Sequence, residues 1–344
     1  MSGALRRWIR IVGGSITGRT ARNLSVEEAQ EAFSMVLAME GTDAQIAAFC
    51  MAMRAKGASA DELSGFAKAS RSRLVFPTLP EHGVVITTSR MGKFHSPPLG
   101  LGAAATASAA GACVLLQAAP SAEGAGTTVG DLCEELLGPL DADLGQTQKD
   151  LDTHQFACWQ PALHDEGWKH LMRLEEEVGL RSIPDTVFKL NAPDGTRLLV
   201  PAMPGPVLGK AGDALAGLGH GNAVVIQGHE GSMDPFLCES TRGLLLEDGY
   251  KSPLRLEPMD VGIFSEQEPG QFHESRLEAA KFAMHKVLAG ADGPEMQTVV
   301  LGAAVLIRLA GLEKDLGSAV TRAREALESG EAQRRLNQVN RKAD

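Results

Sequence analysis

The sequence predicts an α/β protein that carries a small helical unit at its N-terminal end. Two observations predict it. Three helix starts follow one another between residues 25 and 62, and beyond residue 82 short β-branched runs alternate with helical stretches. That alternation is the pattern of a largely parallel sheet.

The helical unit comes first. Ser25-x-x-Glu28, Thr42-x-x-Gln45 and Ser59-x-x-Glu62 are capping boxes, in which a hydroxyl and a carboxyl or amide satisfy the first free amides of a helix. Each precedes apolar residues at helical spacing: Ala29, Ala32, Phe33, Val36 and Leu37; then Ile46, Phe49, Cys50 and Met53; then Leu63, Phe66 and Ala67. Gly41, Gly57 and Pro77 punctuate these stretches.

The α/β part follows. Val84–Thr88 and Ala112–Leu116 read as strands, with an Ala-rich helix near 99–112 between them. Leu198–Val200 and Ala223–Ile226 continue the series, the last preceded by a helical stretch near 206–217. Residues 162–180 read as a helix returning to the helical unit, and 272–289, 294–311 and 313–328 read as C-terminal helices. The expected division is 1–78 with about 158–186 for the helical domain, and 79–157 with 187–344 for the α/β domain.

Composition narrows the classes. The chain has 344 residues and a formal charge of −10, which excludes a uniformly basic nucleic-acid binder but not a local basic patch. Arg6, Arg7, Arg10, Arg19 and Arg22 form such a patch within the first 24 residues, where no acid occurs. Five scattered cysteines without a CxxC pair suggest reduced thiols and a cytoplasmic protein. No apolar run follows the first arginines, and the charge-free segment between Lys93 and Glu123 is too weakly apolar for a membrane span. Nine histidines show no metal-ligand spacing, and Trp159 and Trp168 read as packing residues.

Several segments carry a resemblance. Leu24–Ala29, Thr42–Phe49 and Met53–Gly57 in the helical unit, Phe156-Ala157 with Pro161-Ala162, Val178–Ile183, Val224–Asp234 and Ala323–Gly330 together resemble the anthranilate phosphoribosyltransferase family. The resemblance implies a small helical-bundle domain plus a larger α/β domain with a mostly parallel central sheet, nucleoside phosphorylase/phosphoribosyltransferase-like, with the active site in the cleft between them. It also implies a homodimer paired through the helical domain.

The family's site motifs are altered. Its Gly-Thr-Gly-Gly-Asp loop reads Ile86-Thr87-Thr88-Ser89-Arg90, its Lys-His-Gly-Asn-Arg stretch reads Leu116-Gln117-Ala118-Ala119-Pro120, and its metal-binding Asp-Glu pair reads Asp234-Pro235. Thr87, Ser89, Arg90, Lys93 and Ser96 are the candidates for an anion or phosphate site, since hydroxyls, cations and amides before a helix suit an anion. The bland alternative is a solvated loop. Arg181 matches the arginine that contacts the acceptor's carboxylate in the family; the alternative is pairing with Glu175, Glu176 or Glu177. Asp234 is a weak metal candidate, with Mg²⁺ the cofactor if the protein is catalytic, and otherwise a turn former.

Two functions remain open. One is a non-catalytic binder of a phosphate-rich ligand such as nucleic acid, on a degraded phosphoribosyl diphosphate site. Trp8–Gly14 and Arg19–Leu24 resemble the opening of a divergent branch that includes nucleic-acid-binding members. The other is a glycosyl or phosphoribosyl transferase acting on an acceptor other than anthranilate.

Overall fold

The computed structural model describes residues 4–14, 20–270 and 276–342. In chain order the elements are α1 (Ala4–Gly13), α2 (Val26–Leu37), α3 (Asp43–Lys56), α4 (Ala60–Arg71), β1 (Val84–Thr87), α5 (Gly100–Ala109), β2 (Val114–Gln117), α6 (Val129–Leu136), α7 (Leu144–His154) and β3 (Phe156–Cys158). They continue as α8 (Glu166–Val178), α9 (Ile183–Phe188), β4 (Arg197–Pro201), α10 (Leu208–Gly217), β5 (Ala223–Gln227), β6 (Thr241–Glu247), β7 (Tyr250–Leu256), α11 (Arg276–Leu288), α12 (Pro294–Leu309), α13 (Leu316–Glu328) and α14 (Glu331–Gln338). Among these described helices none is long and apolar enough to cross a membrane.

The chain divides into two bodies. The first is Met1–Phe76 in its described parts, with Pro161–Asp194 and Gly209–Gly219; the second is Pro77–Gln160, Gly195–Leu208 and the described part of His220–Asp344. In the first body all three capping boxes close as the spacing predicts. Glu62 does more than cap α4. Its buried carboxylate also accepts from the Leu24 amide at 2.9 Å and from the Lys56 ammonium at 2.7 Å, so a helix start becomes a tie across the body. An aromatic cluster fills the centre: Phe33 lies 5.1 Å from Phe66 and 6.0 Å from Trp168, and Trp168 packs edge-on to Phe188 at 5.7 Å. The Trp168 indole donates to Ser70 Oγ at 2.8 Å, which satisfies its one buried polar atom.

Two glycines let helices approach. A Cβ on Gly65 would lie 2.3 Å from the Val26 carbonyl oxygen, and one on Gly167 would lie 1.9 Å from that of Leu37. The segment around α10 lies between two strands in sequence yet packs in this body. Ser64 Oγ donates to the Ala214 carbonyl at 3.2 Å, Arg71 donates to that of Leu218, and Lys210 to that of Ala58.

The second body is built on one sheet of order β3-β2-β1-β4-β5-β6-β7. The first five strands are parallel and the last two antiparallel. β1, β2 and β5 are buried along their whole length, as expected for parallel strands covered on both faces. The Ala-rich α5 packs against α12, whose residues are buried almost all round. Gly302 permits this approach, since its Cβ would meet that of Ala103 at 3.2 Å.

The four strands expected from β-branched runs are all present, as β1, β2, β4 and β5. β3 was not expected, because three residues carry no readable alternation. The β6–β7 hairpin was also not expected, although Asp248-Gly249 between apolar runs is a strong hairpin signal; both residues take positive φ, 49° and 82°.

This topology creates a switch point. From β1 the chain moves toward β2 and β3, and from β4 it moves toward β5, so the loops leaving β1 and β4 part company at adjacent strands. The edge at the carboxyl ends of these strands is where ligands of open α/β sheets bind.

Candidate functional site

Two loops meet at that edge of the second body: residues 88–99 after β1 and residues 228–235 after β5. The first is pinned before it reaches α5. Lys93 pairs with Thr127 by two backbone hydrogen bonds, 2.8 and 2.9 Å, and a Cβ on Gly126 would strike the Lys93 carbonyl oxygen at 2.2 Å. Gly92 takes φ +60° against the Gly126 carbonyl. The second loop turns through Gly228, whose Cβ would strike the Asp234 carbonyl at 2.2 Å. Close backbone approach therefore fixes both loops.

Their side chains then satisfy one another. Lys93 Nζ donates to Asp234 Oδ2 at 2.8 Å, with the side chains only 1% and 2% exposed. The same oxygen accepts from the Leu99 amide at 3.0 Å. The Glu230 carboxylate accepts from three consecutive amides, Phe94 at 2.6 Å, His95 at 3.2 Å and Ser96 at 3.1 Å, and from Ser96 Oγ at 3.0 Å. Consecutive amides of this kind form an anion-binding concavity. Here the anion is the chain's own. Glu230 reaches it from the left-handed region, φ 52° and ψ 27°, uncommon for glutamate.

The neighbouring His229 is held as firmly. Its Nε2 lies 2.7 Å from Glu268 Oε2, and its ring is 4.1 Å from Phe236. Glu268 also accepts from the amides of Leu237 and Cys238. Burial alone would raise the Glu268 carboxyl, but His229 and the two amides outweigh it and hold the group below its ordinary value. Beside Lys93 and Glu230 a cavity of about 20 Å³ remains, lined by Thr88, Ser89, Thr127 and Ser232 among others. That is room for a single water.

The structure redistributes the candidate residues. Thr87 Oγ1 donates to the Leu199 carbonyl at 3.3 Å, and Ser89 Oγ accepts from the Met91 amide at 3.2 Å. Arg90 is 3% exposed. Lys93 was expected to offer its charge to a phosphate; instead the ammonium is committed to Asp234, because the pinned loop directs the side chain inward. Ser96 joins the Glu230 cluster. Asp234, the metal candidate, has an ammonium and an amide on one oxygen, and among the described residues no cluster of three His, Cys, Asp or Glu side chains could hold a metal. As arranged, the Lys93 ammonium stands on the Asp234 oxygen, where its positive charge opposes a Mg²⁺ ion held through a carboxylate, waters and substrate phosphates, so the donor set does not fit that ion.

In the first body Arg181 Nη1 donates to Asp185 Oδ2 at 3.2 Å, a partner neither reading anticipated. Glu175 instead receives the Ser182 amide and hydroxyl. On α1, Leu5, Trp8 and Val12 are buried while Arg6, Arg7 and Arg10 are exposed, with Arg7 stacked 4.6 Å over the Trp8 ring. Arg22 is not part of a free basic face: it grips Glu28 with both terminal nitrogens at 2.6 and 2.7 Å. Arg19 lies outside the described residues. Sequence reasoning leaves His229-Glu230 as equally a turn pair or a site, and does not name Glu230 as the acid that fills the amides of 94–96. The flanking Gly228 and Gly231 were the available signal that an acid was being held in a tight loop.

A helical body joined to an open, mostly parallel sheet with paired loops at its switch point defines a glycosyltransferase-type architecture. The chain belongs to the glycosyl transferase family: the family's helical bundle domain matches residues 16–74 and its a/b domain residues 98–333. Anthranilate phosphoribosyltransferase of Methanothermobacter marburgensis is 29% identical over 326 residues, spanning 91% of this chain and 93% of the relative. Anthranilate phosphoribosyltransferase 2 of Streptomyces coelicolor is 29% identical over 316 residues, 90% and 93% of the two chains. The fold matches the crystal structure of the Thermus thermophilus enzyme with a TM-score of 0.82 at 22% identity, covering 98% of both chains. It also matches the Saccharomyces cerevisiae enzyme in complex with PRPP and Mg, with a TM-score of 0.80 at 16% identity over 98% of this chain and 96% of that one.

Proposed function

We propose that this protein is a non-catalytic binder of a phosphate-rich ligand, with nucleic acid as the ligand class, on a phosphoribosyltransferase-family scaffold. The observation that carries the reading is the double occupation of the switch-point loops: the Glu230 carboxylate fills the amides of 94–96 and the Lys93 ammonium covers Asp234. Transfer from a diphosphate donor needs those amides and that carboxylate at the moment charge develops, and each lost interaction of this type costs roughly 10²–10³ in rate.

The exposed Arg6, Arg7 and Arg10 of α1 supply the alternative use of positive charge. Guanidinium groups on one helix face hold phosphates without reading bases. Pairing of two copies through the helical body would double that face, and a soluble cytoplasmic homodimer is the form in which we expect it to act. The protein's total charge of −10 offers no general attraction for phosphates, so binding is expected at this face, where arginine–phosphate contacts make it salt-sensitive.

The test is a titration of the purified protein with single- and double-stranded nucleic acid at about 50 and 200 mM salt, where phosphate contacts change affinity by orders of magnitude. Binding that weakens with salt and is lost in an Arg6→Ala/Arg7→Ala/Arg10→Ala variant supports the reading. Absence of binding at the lower salt overturns it. The second reading is transfer to an acceptor other than anthranilate; the relatives, anthranilate phosphoribosyltransferases aligned over more than nine-tenths of their length, support its transferase part and do not bear on the acceptor. Saturable, Mg²⁺-dependent binding of phosphoribosyl diphosphate would favour transfer over the binding reading.

A further inference from the structure

We infer that Lys93 and Glu230 act together as a built-in substitute for a metal–diphosphate, so that the switch-point site is complete without any divalent cation. The inference rests on the closed site of the preceding reading and not on nucleic-acid binding. Two halves of the geometry support it separately.

The first half is the cation. Asp234 Oδ2 faces a compact point charge at 2.8 Å in a setting all but sealed from solvent. A lysine ammonium supplies one positive charge and three donors from a tethered stem. The backbone pairing of Lys93 to Thr127 holds the base of this side chain at the site, so the ammonium stays close to Asp234. A dissolved metal ion must compete with a group already in place.

The second half is the anion. Three successive amides and a hydroxyl converge on the Glu230 carboxylate at 2.6–3.2 Å. That is the donor pattern that otherwise takes a phosphate. The glutamate adopts φ 52° to reach it, and strain of this kind persists only where the surroundings over-determine it. Tethering gives the carboxylate an effective concentration in the millimolar range or above. Free phosphate or diphosphate in solution does not displace it. His229, one residue earlier, is anchored by Glu268, so the loop that carries the carboxylate is itself held.

The site can therefore be opened in two independent steps. Lys93→Ala frees Asp234 for a divalent cation, and Glu230→Gly empties the amides while relieving the left-handed backbone. Mn²⁺ followed by electron paramagnetic resonance reads the first, and inorganic pyrophosphate followed by calorimetry reads the second. Wild-type protein is expected to leave Mn²⁺ free and to give no heat with pyrophosphate. Lys93→Ala is expected to gain a saturable Mn²⁺ site that Asp234→Asn removes again, and Glu230→Gly at least a tenfold gain in pyrophosphate affinity.

Mn²⁺ binding by the wild type that Asp234→Asn abolishes overturns the inference. So does a folded Lys93→Ala protein with no gain of Mn²⁺, or a folded Glu230→Gly protein with no gain of pyrophosphate binding. Should Lys93→Ala fail to fold, the wild-type Mn²⁺ measurement and the Glu230→Gly arm still decide. None of these readouts involves nucleic acid, so the binding reading and this inference can fail separately.

Discussion

The Lys93 ammonium lies 2.8 Å from the Asp234 carboxylate, and the two residues are separated by 141 positions in the chain. Both side chains are buried, so the pair is asymmetric in energy. Removing one partner strands a buried charge, which costs about 3–5 kcal/mol, whereas replacing both with apolar groups of similar volume is often neutral. Lys93→Met is therefore expected to be strongly destabilising, and Lys93→Met/Asp234→Leu to recover most of the loss. Urea denaturation of the three proteins measures this. A double variant no more stable than Lys93→Met would show that the pair does not act as a unit.

Arg22 sets the titration of Glu28. Its bidentate grip, assisted by the Ser25 amide, lowers the Glu28 carboxyl from 4.5 to about 2. A depressed carboxyl contributes stability above its unfolded value and loses it as pH falls. The contribution is thus present above about pH 4.5 and disappears as the pH approaches 2. Arg22→Ala is expected to move the carboxyl most of the way back toward 4.5 in an NMR titration. A value still near 2 would assign the effect to the helix cap alone.

The thiols divide by burial. Burial raises Cys50 to about 12 and Cys113 to about 11, and Cys133 is also raised well above the ordinary thiol value. Cys238 is exposed, though burial of part of its surroundings and the nearby Glu268 raise it as well. At pH 8 a disulfide reagent is expected to react first with Cys238, more slowly than with a free thiol, because only the thiolate attacks. The other four should react after unfolding. A fast phase that survives Cys238→Ser would contradict this assignment.

Two glycines offer a contrast in the helical body. A Cβ at Gly167 would lie 1.9 Å from the Leu37 carbonyl oxygen, while one at Gly209 would meet nothing within 4 Å. Overpacking typically costs about 1–3 kcal/mol, so Gly167→Ala is expected to destabilise by at least that amount. Gly209→Ala, in α10, is expected to be neutral or to stabilise by about 0.4–1 kcal/mol. Equal midpoints for the two variants in urea would refute the close approach of α2 and α8.

The reach of the sequence can be followed through particular residues. Ser25, Thr42 and Ser59 announce their helices because a cap is satisfied within three residues and needs no distant partner. The longer fully buried parallel strands β1, β2 and β5 are legible for a similar reason, since their apolar runs stand out from their neighbours. β6 and β7 escaped because a half-exposed edge hairpin alternates weakly, and its Asp248-Gly249 turn was the only strong mark.

By itself the sequence determined the helical unit, four of the five parallel strands and the loops in which charge had to be placed. It did not determine what those charges face. Lys93 reads as an exposed cation and Asp234 as a free acid until the sheet brings the ends of β1 and β5 to one edge. Glu230 reads as equally a turn residue or a site residue until the amides of 94–96 close around it. Capping and burial periodicity are local properties of a few consecutive residues. The pairing of side chains more than 130 positions apart is decided by sheet order and close backbone packing, and only the tertiary structure supplies those.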